Sequence, residues 1–356
     1  MIGREDTGRP AMRAIAVTKS KILLVLAIIA GGLMYGGSTA SAATTTINLC
    51  ALPGTATLTG AVTVNIWGFG IPTTPGDCST ATASLPGPQL DVTMSATETT
   101  TVTFNVTNAL PAGHSITFEI PGITFDAGAA DVGPGATLTR SFTAPASPPV
   151  PPPAPGAANG PGTYLYGSGG DGGRQQAMGL YGALIVRPST AGRAYESAAT
   201  AYDVEAPLVL SAVDPDFNNA ADPMAFDMHS YRATYWLING KAYPDTTGIT
   251  AAAGARVLMR YLNAGYDNTT MMLLGMHEHV VAKDAWPLNN AYDAIADTIP
   301  AGATEDAIAT VPGGGGPSGS GFPLFNRQLH LTNGDQAGPS PTPSAGGGML
   351  TFVHYP

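Results

Sequence analysis

Apolar side chains in this chain recur with a period of two in short runs, and glycine, proline, asparagine or aspartate closes each run. Ala61–Gly68, Gln89–Met94, Thr99–Val106, Ser115–Ile120, Ala136–Phe142, Gly162–Tyr166 and Gly182–Val186 are rich in Val, Thr, Ile and Phe. The pattern resumes at Leu208–Val213, Tyr235–Ile238, Arg256–Asn263, Thr270–Leu274, His279–Ala282 and Met349–His354. Alternation puts successive side chains on opposite faces of a strand, so each run predicts a half-buried strand. Many short strands with turn residues between them predict an all-β sandwich or barrel. No segment sustains an apolar period of 3.6 over a helical length. Ala291–Asp297 predicts one short helix.

Residues 189–205 are weakly patterned and divide the runs into two sets. The expected organisation is a leader over 1–42, a first β-domain over 43–190, a linker over 191–206 and a second β-domain over 207–356. At 356 residues, two domains suit the usual domain size. Inside the first domain, the loop 144–156 carries Pro148-Pro149-Val150-Pro151-Pro152-Pro153, which predicts extended polyproline backbone. Gly313–Gly321 and Pro339–Gly348 predict loops in the second.

Composition adds a compartment and removes a class of partner. Arg4, Arg9, Arg13, Lys19 and Lys21 precede or flank the start of an apolar run, Ile22–Met34, and Ala40-Ser41-Ala42 follows it. A basic start, a short apolar core and a small-residue cleavage site predict a secretory signal peptide; a membrane anchor is the alternative. No other stretch is long and apolar enough to span a bilayer, and the expected location is secreted, periplasmic or cell-surface. The leader carries five basic and two acidic residues; the remainder has ten Lys+Arg and 23 Asp+Glu, a net charge near −13. Ten scattered cations do not build the basic patch that nucleic acid needs, so no nucleic-acid partner is expected. Cys50 and Cys78 are the two cysteines, and in an oxidising compartment they predict a disulfide; a pair of thiolate metal ligands is the alternative. Closing a loop of that size stabilises by roughly 3.5 kcal/mol in the chain-entropy picture.

Several segments resemble the multicopper oxidase family. Leu85-Pro86-Gly87-Pro88 is similar to the family's PGP, and Asn105-Val106-Thr107-Asn108-Ala109-Leu110 to its V-x-N-x-L. His114-Ser115-Ile116-Thr117-Phe118-Glu119 stands where the family has HSIHFHG. Gly162-Thr163-Tyr164-Leu165-Tyr166 and Gly179-Leu180-Tyr181-Gly182-Ala183-Leu184-Ile185-Val186 look like GTYWYHSH and GLYGALIV. Further on, Ile238-Asn239-Gly240 through Tyr243-Pro244-Asp245 is similar to ING-x-x-(Y/F)PD, Arg260-Tyr261-Leu262-Asn263-Ala264-Gly265 to R-x-x-NAG, and Val280–Asp284 to V-x-A-x-D. The order of motifs is kept from residue 85 to the end. The resemblance implies two cupredoxin-like Greek-key β-sandwich domains.

It also implies what is missing. The family holds copper with two HxH pairs in its first domain. Here those four positions read Thr117 and Glu119, then Gly167 and Gly169. A blue copper site needs a Cys thiolate beside two His, and neither Cys50 nor Cys78 lies near the segments that carry that ligand. No copper cofactor and no catalytic residue are therefore expected. His277-Glu278-His279 is the remaining H-x-H; on a strand its rings share a face and can chelate a metal, with Met271, Met272 and Met276 as soft neighbours and His229, His330 or His354 as third ligands. Gly167-Ser168-Gly169-Gly170-Asp171-Gly172 fits G-x-G-x-x-G, but a strand follows it, which excludes a dinucleotide site. Glu119 and Asp171 are a candidate acid–base pair. Asn105-Val106-Thr107 and Asn268-Thr269-Thr270 are glycosylation sequons. The leading expectation is a non-catalytic exported protein that binds an extracellular partner or self-assembles. The alternatives are a copper-binding oxidoreductase with a rearranged site at His277 and His279, and an extracellular small-ligand binder.

Overall fold

A computed structural model describes residues 43–126, 131–147, 159–313, 321–334 and 347–355. The expected leader, the proline run and most of the two glycine-rich loops lie outside the described residues. Nine strands build a first sandwich: β1 (Ala43–Leu58), β2 (Val62–Gly70), β3 (Leu90–Thr93), β4 (Thr100–Asn108), β5 (Ile116–Glu119), β6 (Asp131–Val132), β7 (Thr137–Ala144), β8 (Gly162–Ser168) and β9 (Tyr181–Arg187). Eleven build a second: β10 (Val204–Val213), β11 (Tyr235–Ile238), β12 (Ile249–Thr250), β13 (Arg256–Asn263), β14 (Thr269–Leu273), β15 (Glu278–Lys283), β16 (Trp286–Ala294), β17 (Ala296–Ile299), β18 (Thr304–Thr310), β19 (Phe322–Asn326) and β20 (Leu350–His354).

The second sandwich repeats the first. The first pairs a sheet of order β2-β1-β4-β7 with one of order β3-β9-β8-β5-β6. The second pairs β11-β10-β13-β18 with β12-β20-β19-β14-β17, strand for strand the same arrangement. Among the described residues its one addition is the hairpin β15–β16, which extends the first of these sheets beyond β18. Each sandwich closes on its own apolar core. Phe69, Phe104, Phe118, Phe142 and Tyr166 fill the first, and Leu210, Met259, Tyr261, Leu273 and Leu324 the second. These are the inward positions of alternating strands, such as the buried and half-buried positions that alternate along β4.

Two predictions are corrected. Ala291–Asp297 is not helical: it is the end of β16, a corner at Ile295 and the start of β17. The chain turns there from the edge of one sheet to the edge of the other. The weakly patterned stretch 189–205 already contains the start of β10 at Val204, which pairs with Val257. The strand β1 was not legible. Its first half lies beside β4 and its second half beside β2, so Pro53, opposite Trp67, falls where β1 has a neighbour on one side only. Proline lacks the donor a central strand needs, and this offset tolerates it.

The sandwiches meet through apolar side chains of both. Leu165, Tyr181 and Ala183 of the first touch Val209, Leu262 and Ala264 of the second. Leu58, Val64 and Ile66 of the β1–β2 hairpin pack with Val213, Tyr235 and Leu237. The resemblance motif around Gly182 has a packing reason independent of copper. Gly182 lies opposite Tyr166 in the ladder, and a Cβ there would stand 2.4 Å from the tyrosine ring.

Candidate functional site

β5 and β8 bring the four positions that the resemblance assigns to copper ligands onto one face. Ile116 and Phe118 point into the core, so Thr117 and Glu119 point out. Glu119 pairs with Gly167 across the ladder, and a Cβ on Gly169 would stand 4.0 Å from Glu119 Oε2. The strand geometry that places paired ligands together is therefore retained.

The chemistry at those positions is not that of a copper site. The Thr117 hydroxyl donates to Asp131 Oδ1 at 2.6 Å and is committed there. Glu119 and Gly169 are exposed. A Cβ at Gly167 would stand 2.8 Å from the Leu180 carbonyl oxygen, so backbone has closed over the place where a side chain would start. Two glycines, a threonine and one carboxylate are not the imidazole donor set that copper takes in such sites. Copper does not fit these residues. Behind the face, a buried polar network holds the strand ends. The Ser168 hydroxyl donates to Gln175 Oε1 at 2.6 Å and accepts from the Thr117 amide at 2.8 Å. Gln175 Nε2 donates to the Ser115 carbonyl and to Asp171 Oδ2, each at 2.7 Å. Asp171 is thus a structural acceptor in this network.

His277 and His279 point out of the sheet while Glu278 points in. Met271 and Met276 do not join them, being buried in the second core, while Met272 on the opposite face of β14 is half-buried. His279 Nδ1 lies 2.7 Å from Asp293 Oδ1 across β15 and β16. His330 stacks on Trp236 with ring centroids 4.3 Å apart, and His354 packs on Phe352. Among the described residues, no group of three His, Cys, Asp or Glu side chains is placed to hold a metal ion. The cysteines do not stand free as thiolates either: Cys50 and Cys78 form a disulfide.

Two clusters were missed by sequence reasoning. The first joins the sandwiches. Arg260, fully buried, donates from Nε to Glu205 Oε1 at 2.7 Å and from Nη1 to Thr163 Oγ1 at 2.9 Å. Asp306, 1 % exposed, accepts from Thr163 Oγ1 at 2.6 Å and Tyr195 OH at 2.5 Å. The Arg260 and Asp306 ions lie 3.2 Å apart. Burial works against the Arg260 charge, but Asp306 and Glu205 hold its pKa above the ordinary value. The signal was present as a charged residue in the apolar run Val257–Leu262 and as Glu305-Asp306 amid alanines. The second cluster lies inside the second sandwich, where Glu278 and Glu305 are buried. Burial pushes the Glu278 carboxyl up to about 8, against the hydrogen bond that Tyr261 OH donates at 2.6 Å. Burial pushes Glu305 up to about 7, against the nearby Lys283 ammonium.

A hollow of about 450 Å³ opens where β1, β2 and the 111–114 turn face the segment 218–223. Trp67 and His114 lie on its wall with ring centroids 4.8 Å apart, beside Asn65, Asn218 and Met178.

No family model and no curated protein sequence matches the chain. Solved structures do. The blue copper oxidase from Nitrosomonas europaea superposes with a TM-score of 0.66 at 20% identity, over 88% of this chain and 86% of that one. The multicopper oxidase mgLAC gives 0.66 at 18% identity, over 88% and 86%. The copper nitrite reductase from Nitrosomonas europaea gives 0.62 at 20% identity, over 87% and 94%. With two repeated sandwiches, a β5–β8 face and this overlap, the chain has the cupredoxin-like fold of the multicopper oxidases and copper nitrite reductases.

Proposed function

We propose that this chain is an exported, degenerate member of the multicopper oxidase family that works without a copper centre, as a structural or binding protein at the cell exterior. One observation carries the reading: the ligand face survives as a piece of backbone geometry while Thr117 is put to another use, positions 167 and 169 are emptied, and Glu119 alone presents an exposed carboxylate. Thr117 is bonded to Asp131, and the Leu180 carbonyl stands where a side chain at residue 167 would begin. A chain that needed only one or two altered ligands would keep that space open. The leader pattern and the disulfide support export.

Metal analysis of purified protein after dialysis against cupric and cuprous ions tests it. The expected result is folded protein with sub-stoichiometric copper and no phenol oxidase activity. One copper or more per chain with a blue absorption band would overturn the reading. Loss of copper on changing His277 and His279 to alanine would then point to the rearranged site.

The hollow beside Trp67 favours a second reading, a binder of small extracellular molecules. Its volume of about 450 Å³ falls within the roughly 300–1,000 Å³ of ligand pockets. Fluorescence titration with simple phenols and with monosaccharides tests this. A saturable response that disappears in Trp67→Phe supports it, and no response to either class removes it.

A further inference from the structure

The added hairpin β15–β16 is fastened to the second sandwich by acids. Lys283 at the end of β15 lies 2.9 Å from Glu305 Oε2 of β18 and 3.1 Å from Asp297 Oδ2 of β17. One ammonium thus serves two carboxylates that belong to the two opposite sheets. Tyr292 of β16 donates a hydrogen bond to the same Asp297 oxygen. Glu278 of β15, facing inward, receives only the Tyr261 hydroxyl of β13. On the outer side of the hairpin, His279 and Asp293 pair with each other and face away. Two carboxylates on one ammonium leave an excess of negative charge, Glu278 adds a buried acid to the same sandwich, and Glu305 is 3 % exposed. Lys283 and Asp297 are partly exposed, but Glu305 is shielded from water, so a proton on Glu305 relieves the excess.

We propose that this cluster is a proton-dependent latch, in which a proton on Glu305, beside the Lys283–Asp297 ion pair, holds the hairpin and the β16–β17 corner closed. Among the described residues the latch has no counterpart in the first sandwich, where no hairpin is paired between β5 and β6. It also reaches the joint between sandwiches. The hairpin turn Asp284-Ala285 sits against Gly162 of β8, where a Cβ would stand 2.5 Å from Ala285 Cβ. Asp284 Oδ1 accepts from the Thr304 amide at 2.9 Å, and the Thr304 hydroxyl donates to the Thr163 carbonyl at 2.8 Å.

The direction follows from proton binding. Burial raises the folded Glu305 to about 7 and Glu278 to about 8, whereas both lose their protons near 4.5 in the unfolded chain. The folded state therefore binds more protons between those limits. The stability of the closed hairpin is fully present below about pH 4.5 and falls as pH rises through 7 to 8, by up to about tenfold in its closing constant per unit for each group. Asp297 is shifted the other way: burial raises it, but the Tyr292 and Lys283 hydrogen bonds outweigh burial, so its contribution changes only below pH 4. Lys283 is raised and stays charged throughout this window.

Hydrogen exchange of the full chain at pH 5.5, 7 and 8.5, corrected for intrinsic rates, reads the latch directly. Protection of residues 286–299 is expected to fall with pH while that of β4 and β7 holds. Glu305→Gln keeps a hydrogen-bond donor and removes the charge, so it should reduce the slope to the part that Glu278 carries. Asp297→Asn should weaken it and serves if the first variant does not fold. Uniform protection across this pH range, or a Glu305→Gln protein with the wild-type slope, would overturn the proposal.

Discussion

Gly167 and Gly169 occupy equivalent places in the lost ligand pair, yet they differ in what they tolerate. A Cβ at 167 meets a carbonyl oxygen at 2.8 Å, while a Cβ at 169 meets nothing closer than 4.0 Å. Gly167→Ala is therefore expected to cost about 1–3 kcal/mol, the usual range for forced overpacking, and Gly169→Ala less than about 0.5 kcal/mol. Urea unfolding of the two variants checks the difference; equal midpoints would mean the backbone at 167 yields. Arg260 sets the opposite problem, a charge that cannot be left out. Arg260→Met strands the buried Asp306 without its cation, whereas Glu205 keeps Arg187 at 2.8 Å; removing one partner of a buried pair costs about 3–5 kcal/mol. The same measurement reads it, and a loss under 1 kcal/mol would show that water reaches the joint. At this scale the sequence was informative about absence. Gly167 and Gly169 carry no donor at all, and Thr117 and Glu119 put a hydroxyl and a carboxylate where the resemblance expects imidazoles. The uses that now occupy them, such as the Thr117–Asp131 bond, depend on partners 14 residues away across a ladder.

Among the elements, β1 and the hairpin β15–β16 depart furthest from the sequence pattern. β1 alternates weakly because its two halves serve different neighbours, and a proline sits where the exchange occurs. The disulfide pins the loop after β2 to this exchange point, since Cys50 lies where β1 leaves β4 for β2. Replacing both cysteines by alanine should cost roughly 3 kcal/mol on the loop-entropy estimate. Reduced wild-type protein should unfold at the same urea concentration as that variant; an unchanged midpoint on reduction would show that the denatured chain is already compact there. β16 was misread as a helix for a physical reason. Its side chains are exposed on both faces, so no strand-like alternation marks it. What holds it as a strand is pairing to β15 and the Tyr292–Asp297 bond beyond it, and neither is local.

Across the whole molecule, the two sandwiches share two apolar contact clusters and the Arg260–Asp306 network. That much shared burial couples their unfolding. Calorimetry of the wild-type chain should give one transition, and Arg260→Met should split it into two. Two transitions in the wild type would show that the joint transmits little. The sequence by itself determined the all-β class, the strands whose two faces differ and which donors stand at 117, 119, 167 and 169, because alternation and donor chemistry are carried residue by residue. It held the topological repeat only weakly, since the order β2-β1-β4-β7 and its counterpart are set by which edges pair rather than by any local signal. Only the tertiary structure decided the two buried charge clusters. Glu305 and Asp306 are adjacent in sequence, yet the fold turns one toward the hairpin and the other toward the first sandwich. Their chemistry follows from the partners that sheet pairing brings to each side and from the loss of water around them.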